Sequence, residues 1–234
     1  MENPTIIERH TPHETAIERV ARESRDFGIG LLRLALLTLI LTPFLLWAFL
    51  TADLPIYALD RFFSSNAAIA PSHWLTQGGL AIAFAPLVSI LMARRFGGDE
   101  ASRVITAAWT LAAIVVFFEL SYLAPALDAG DLPSVRFTLG TVISAMSAQF
   151  IAVNIYDVAR GGGRWWRAPF YGALWGYVIS AALYFPFIYF GTGAPWLHWM
   201  VGDIAVKAVV AMGFLLVYGA LRRPLRPRGG LGSS

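Results

Sequence analysis

Apolar stretches of about twenty residues, each long enough as a helix to cross a bilayer core, recur six times along this chain. They fall at 29–50, 73–93, 104–125, 135–158, 168–190 and 197–221, with short polar segments between them. The pattern predicts an all-α membrane protein, six transmembrane helices in a compact bundle. Ahead of the first span, residues 1–27 are polar and do not read as a signal peptide. There Thr11 suits an N-cap, Pro12 the first helical position and Glu14 the third. Ala16, Ile17, Val20 and Ala21 then share a weak apolar stripe. This predicts a short N-terminal surface helix, the alternative being a solvated tail. The expected organisation is a cytosolic segment with an amphipathic helix over 1–28, a six-helix membrane domain over 29–221 and a basic cytosolic tail over 222–234. The closing RGGLGSS reads as unstructured.

Charge adds an orientation. Arg19, Arg22, Arg25 and Arg33 border the first span, Arg94, Arg95 and Arg103 the loop after the second, and Arg160, Arg164 and Arg167 the loop after the fourth. Arg222, Arg223, Arg226 and Arg228 follow the sixth. The alternate loops hold Asp53, Asp60, Arg61, Asp128, Asp131 and Arg136 and are net acidic. Six spans put every arginine-rich segment on one side, which the positive-inside rule makes the cytoplasm, with both termini there. The net charge of +3 therefore reads as a topology signal and not as a nucleic-acid surface. The chain is 57% hydrophobic and 14% charged, against roughly a quarter charged in soluble domains. With no cysteine, disulfides, thiolate metal sites and cysteine nucleophiles are excluded. GGGRWW at 161–166 lacks the Gly-Lys-Ser/Thr ending of a phosphate loop and reads as a turn whose Trp165 and Trp166 sit at the interface.

Polar side chains inside the spans are few, and in lipid such groups face a cavity or a partner. Span six carries Asp203 and Lys207, the chain's one lysine. Four residues apart, they share a helix face with the acid N-terminal. Either they neutralise each other so that the helix inserts, or they line a solvated pocket in which Asp203 accepts hydrogen bonds from a ligand. Gln149 in span four both donates and accepts, suiting the edge of a flat heterocycle, or serves as interhelical glue. Ser144 and Ser147 read as small packing residues. Glu119 in span three has no partner in its own turn and is expected either protonated or paired with Lys207 across the bundle. Asn154 and Asp157 close span four near the arginine-rich side. Span five is rich in aromatics, of which Trp175 and Tyr177 are candidates for stacking on a planar ligand, and Pro186 is expected to kink it.

The run from Gln149 through NIYDVARGGGRWWRAPFYGALWG to HWMVGDIAVKAVVAMGFLLVYGAL resembles the queuosine precursor transporter family, also called the VUT or vitamin-uptake-like family. Gln149, Arg164, Trp165, Trp166, Ala168, Pro169, Asp203 and Lys207 match that family's pattern in order and at similar spacing. RRFGGDEASRVI at 94–105 weakly echoes its second loop. The chain departs where the family has an acid three residues after the glutamine, here Ala152, and at Ser89, Ile90, Tyr177, Ile179 and Ser180. The resemblance implies a bacterial inner-membrane secondary transporter taking up a 7-deazapurine such as preQ0, preQ1 or queuine, without ATP hydrolysis. The substrate site expected combines Gln149, Asp203 and Lys207, which match the family, with Glu119 as a replacement carboxylate and Trp175 and Tyr177 as stacking rings, which do not come from the match. Asp203 or Glu119 would accept from the base's N–H edge, Gln149 would meet the carbonyl edge, and Trp175 or Tyr177 would stack. No metal or cofactor is expected. The partners expected are the small molecule and the bilayer, with a homo-oligomer or a membrane-protein partner as further options. Two other functions are open to the same residues. One is a non-transporting subunit or stabiliser of a larger membrane complex. The other is a membrane-embedded enzyme using Glu119 and Asp203, which no catalytic motif and no mid-span histidine supports.

Overall fold

The computed structural model describes residues 16–62, 67–123, 126 and 133–226. Six helices account for most of them: α1 (Ala16–Leu50), α2 (Gln77–Phe96), α3 (Gly98–Leu123), α4 (Val135–Ala159), α5 (Arg167–Tyr189) and α6 (Trp196–Leu221). All six are long and apolar enough to cross a membrane. The helical stripe Ala16, Ile17, Val20 and Ala21 runs without a break into the first span, giving one helix of 35 residues. At 1.5 Å per residue this is about 52 Å, longer than the ~30 Å apolar core, so one end extends beyond it. The Thr11–Pro12–Glu14 start lies outside the described residues.

The helix ends follow local chemistry. Hydropathy predicts span two from residue 73, but α2 begins at Gln77 because the Thr76 hydroxyl caps it, accepting from Gly79 N at 2.9 Å. Residues Pro71–His73 instead form a 3-10 turn. Gly97, with φ +96°, ends α2 and lets α3 start at the next residue. Helix α5 passes through Pro186 and stops at Tyr189, where Arg136 Nε donates to the Phe187 carbonyl at 2.6 Å and Nη2 to that of Phe190 at 3.0 Å.

Packing puts α2 at the centre, in contact with each of the other five helices. Its buried residues lie on all sides, whereas α1 buries a single stripe of Leu37, Leu41, Leu45 and Ala48 with Thr38 and Thr42 beside it. Small residues set the closest approaches, as expected where lipid removes the hydrophobic drive between helices. A Cβ on Gly78 would lie 2.2 Å from the Ala48 carbonyl oxygen. Along the α4–α5 seam, a Cβ on Gly172 would be 2.7 Å from Ala152 O and one on Gly176 2.6 Å from Ala148 O. Ala152, where the resembled pattern has an acid, is fully buried in that seam.

Candidate functional site

Lys207 Nζ donates to Asp203 Oδ2 at 2.7 Å, and the two side chains are 10% and 7% exposed. The other carboxylate oxygen takes no hydrogen bond from any described residue. The pair borders a cavity of about 60 Å³, room for several waters. Five helices and one loop make the walls. Ser180, Tyr184 and Phe185 come from α5; Phe137, Thr141 and Ser144 from α4. Helix α1 adds Ala48 and Phe49, α2 adds Gly79 and Ile82, and the loop before α2 adds Trp74 and Thr76. These belong to the C-terminal ends of α1 and α5 and the N-terminal ends of α2, α4 and α6. The cavity thus lies toward the arginine-poor end of the bundle.

The loop over that end is tied down. Pro55 and Thr76 form an isolated antiparallel bridge, Ile56 N donates to Leu75 O at 2.9 Å, and Gln77 N to Leu54 O at 2.8 Å. Asp60 Oδ1 accepts from Ser72 N at 2.9 Å. Trp74 lies on α6, where a Cβ on Gly202 would approach its ring to 2.6 Å. Glycine there lets the indole reach the cavity beside Asp203. Trp199 fixes the same loop, its ring stacked with His73 and its Nε1 donating to Ala68 O at 3.0 Å.

Of the six residues expected to bind substrate, the structure brings Asp203 and Lys207 together in the cavity and places the other four elsewhere. Glu119 is exposed on the outer half of α3 among exposed Phe117, Phe118 and Tyr122; buried residues on α3 stop at Ala112, so its last turns leave the bundle. It does not pair with Lys207. Trp175 is 50% exposed on the outer face of α5. Tyr177 is buried, its hydroxyl donating to Ala83 O at 2.6 Å, next to the turn of α2 that Pro86 deprives of a backbone donor. Two residues apart on a helix, Trp175 and Tyr177 point to nearly opposite sides, so one stacking face could not use both. Gln149 is fully buried between α4 and α2, its Oε1 3.3 Å from Ser89 Oγ, whose one proton also has the Ala85 carbonyl at 2.9 Å, while its Nε2 has no partner among the described residues.

Sequence reasoning misses Trp74, Thr76, Phe137 and Thr141 because they sit at span ends, where polar and aromatic residues are unremarkable. Ser144 and Ser180 are visible as polar, but hydroxyls in spans are more often packing groups. Ser144 Oγ donates to Thr141 O at 3.2 Å and Thr141 Oγ1 to Phe137 O at 2.8 Å, which leaves lone pairs on both hydroxyls to face the cavity.

The geometry meets a family comparison at this point. Residues 76–221 match the family described as Putative vitamin uptake transporter. The chain belongs to this family. The matched segment holds α2 to α6 and both members of the buried pair, and it excludes α1. A curated relative, the Queuosine precursor transporter of Escherichia coli (strain K12), is 26% identical over 166 residues, covering 65% of this chain and 75% of that protein. No solved structure matches significantly. Six apolar spans in a chain of this transporter family make it a multi-pass membrane protein.

Gln149 gives a direct test of glue against ligand contact. A buried amide N–H₂ with no partner costs about 1–3 kcal/mol of desolvation. Gln149→Met is therefore expected to leave the melting temperature unchanged or raise it, measured in detergent without ligand. A clear drop would mean that the amide has a partner, such as a buried water.

Proposed function

We propose that this protein is a secondary transporter that takes up a queuosine precursor or a close 7-deazapurine relative across a bacterial inner membrane. The observation that carries the reading is the Asp203–Lys207 pair, buried in a cavity at the arginine-poor end with one carboxylate oxygen unused. By the positive-inside rule that end faces away from the cytoplasm and both termini face it, so the cavity lies on the side from which an uptake substrate arrives. Residues 29–221 are then the transport unit, and the segments on either side of it are cytosolic.

The chemistry fits a purine-like edge, and the cavity, smaller than the ~150 Å³ that holds a benzene ring, must widen to admit a whole base. Lys207 fixes the direction of the Asp203 carboxylate by its 2.7 Å bond to Oδ2 and leaves the other oxygen toward the cavity. The free oxygen accepts an N–H of the base, a charge-assisted bond stronger than a neutral one. Ser180, Ser144 and Thr141 offer hydroxyls for the remaining polar edge, and Phe137, Tyr184 and Trp74 offer ring faces. Gln149, Glu119, Trp175 and Tyr177 are not needed at this site. The match to a queuosine precursor transporter supports the choice of base.

A thermal-shift titration with preQ0, preQ1, queuine, guanine and adenine tests the reading. A ligand that binds only the folded state raises the melting temperature as its concentration exceeds Kd. Deazapurines are expected to raise it and adenine is not. A well-folded sample unmoved by every base would sink the proposal.

A further inference from the structure

A second cavity lies at the opposite end of the bundle. It has a volume of about 230 Å³ and is lined by Arg94, Arg160, Arg164 and Arg222 with Trp165 and Tyr218. The four guanidiniums come from four places: the last turn of α2, the end of α4, the loop between α4 and α5, and the end of α6. Topology requires only that basic residues lie near span ends on one side. It does not require them to converge, nor to be held in fixed planes, and two of these are held.

Arg94 Nη1 donates to the Tyr218 hydroxyl at 3.0 Å, and its Nε and Nη2 both donate to the Arg222 carbonyl. Its guanidinium carbon stands 5.3 Å from the centre of the Tyr218 ring. Tyr218 stacks on Trp165 at 6.4 Å with 4° between planes, and Arg222 lies over Trp165 at 5.1 Å. Arg94, Tyr218, Trp165 and Arg222 thus form one alternating stack of cations and rings, and the Tyr218 hydroxyl is also hydrogen-bonded to that of Tyr156 at 3.0 Å. The acceptors that hold Arg94 are neutral, so no carboxylate among the described residues offsets its charge. Arg160 has Asp157 at 3.2 Å. Neither Arg164 nor Arg222 pairs with a carboxylate among the described residues. Gly163, at φ +81°, lets the loop turn back beside Arg164.

Several cations around one cavity, whose described lining holds no carboxylate, repel one another until an anion enters. The guanidinium fork matches phosphate oxygens, and basic pockets between helices at this depth suit phosphate headgroups. We propose that this pocket binds a phosphate group, carried either by an anionic lipid or by a soluble phosphate. The site is separate from the Asp203 cavity, and its test involves no base.

The test uses the full chain in detergent and follows the melting temperature. Inorganic phosphate is titrated at constant ionic strength against sodium chloride, and phosphatidylglycerol is titrated against phosphatidylcholine. Wild type is expected to show a saturable rise with phosphate, with phosphatidylglycerol or with both. A rise with lipid alone assigns a headgroup, and a rise with phosphate assigns a soluble anion. Arg164→Gln, which removes an exposed side chain with no hydrogen bond inside the described protein, is expected to raise the half-saturating concentration about tenfold or more, as losing one bond to a charged group does. Arg103→Gln removes the same charge at the same end but outside the pocket and is expected to leave half-saturation unchanged. Equal effects of the two substitutions, or no rise beyond the chloride and phosphatidylcholine controls, would overturn the proposal.

Discussion

Asp203→Asn is expected to abolish deazapurine binding and to lower stability as well. The carboxylate is the one anionic acceptor among the described residues that line the cavity. Its loss removes a charge-assisted bond to the base, about 1.5–3 kcal/mol for each such bond. It also leaves Lys207 buried without a counter-charge, and breaking a buried pair on one side costs about 3–5 kcal/mol. The two effects must be separated, because an unfolded variant binds nothing for uninteresting reasons. The double substitution Asp203→Asn with Lys207→Met removes the stranded ammonium. It is expected to recover most of the melting temperature while binding stays lost. Trp165→Phe, at the far end of the bundle, is expected to bind bases as wild type does. Wild-type affinity in Asp203→Asn, measured by calorimetry on a folded sample, would show that the cavity is not where the base sits.

The other large effect belongs to the α4–α5 seam. A Cβ on Gly176 would meet the Ala148 carbonyl oxygen at 2.6 Å and the Ala152 side chain at 3.2 Å. Both obstacles are backbone or a side chain with no rotamers, so the helices must separate. Gly176→Leu is expected to destabilise by about 3 kcal/mol, the upper part of the usual overpacking range, even though leucine is the better helix former by up to about 1 kcal/mol. Gly213 serves as the comparison, since a Cβ there would meet nothing within 4 Å and the residue is exposed. There Gly213→Leu is expected to leave the melting temperature unchanged or raise it slightly. If both substitutions shift it alike, the seam is not held by close backbone approach.

The parts of this molecule that can be read from its sequence are those governed by local rules. Span number and arginine placement follow from a bilayer's thickness and charge asymmetry. The Asp203–Lys207 contact follows from a spacing of four on one helix, which needs no knowledge of any other helix. Pairing across helices has no such local marker. Glu119 reads as a partner for Lys207, but the rotation of α3 and the departure of its last turns from the bundle decide its surroundings. Neither is written in VVFFELSYL. For Trp175 and Tyr177, the period of the helix forbids both from facing one ligand, yet only the position of α2 selects which is buried. The cavity walls at Trp74 and Thr76 depend on a loop whose path is fixed by long-range backbone bonds, and those leave no pattern in the side chains.

Helix α1 and nearly all of the loop that follows it lie outside the family-matched residues 76–221, yet Ala48, Phe49 and Trp74 stand in the cavity wall. The matched stretch therefore supplies the charge and most of the wall, while Ala48, Phe49 and Trp74 outside it complete the space around that charge. On the proposed reading, substitutions at Ala48, Phe49 or Trp74 reshape the substrate space of this chain and keep its acid–lysine pair intact. Changing those positions is then a route to altered selectivity that leaves the electrostatic centre untouched.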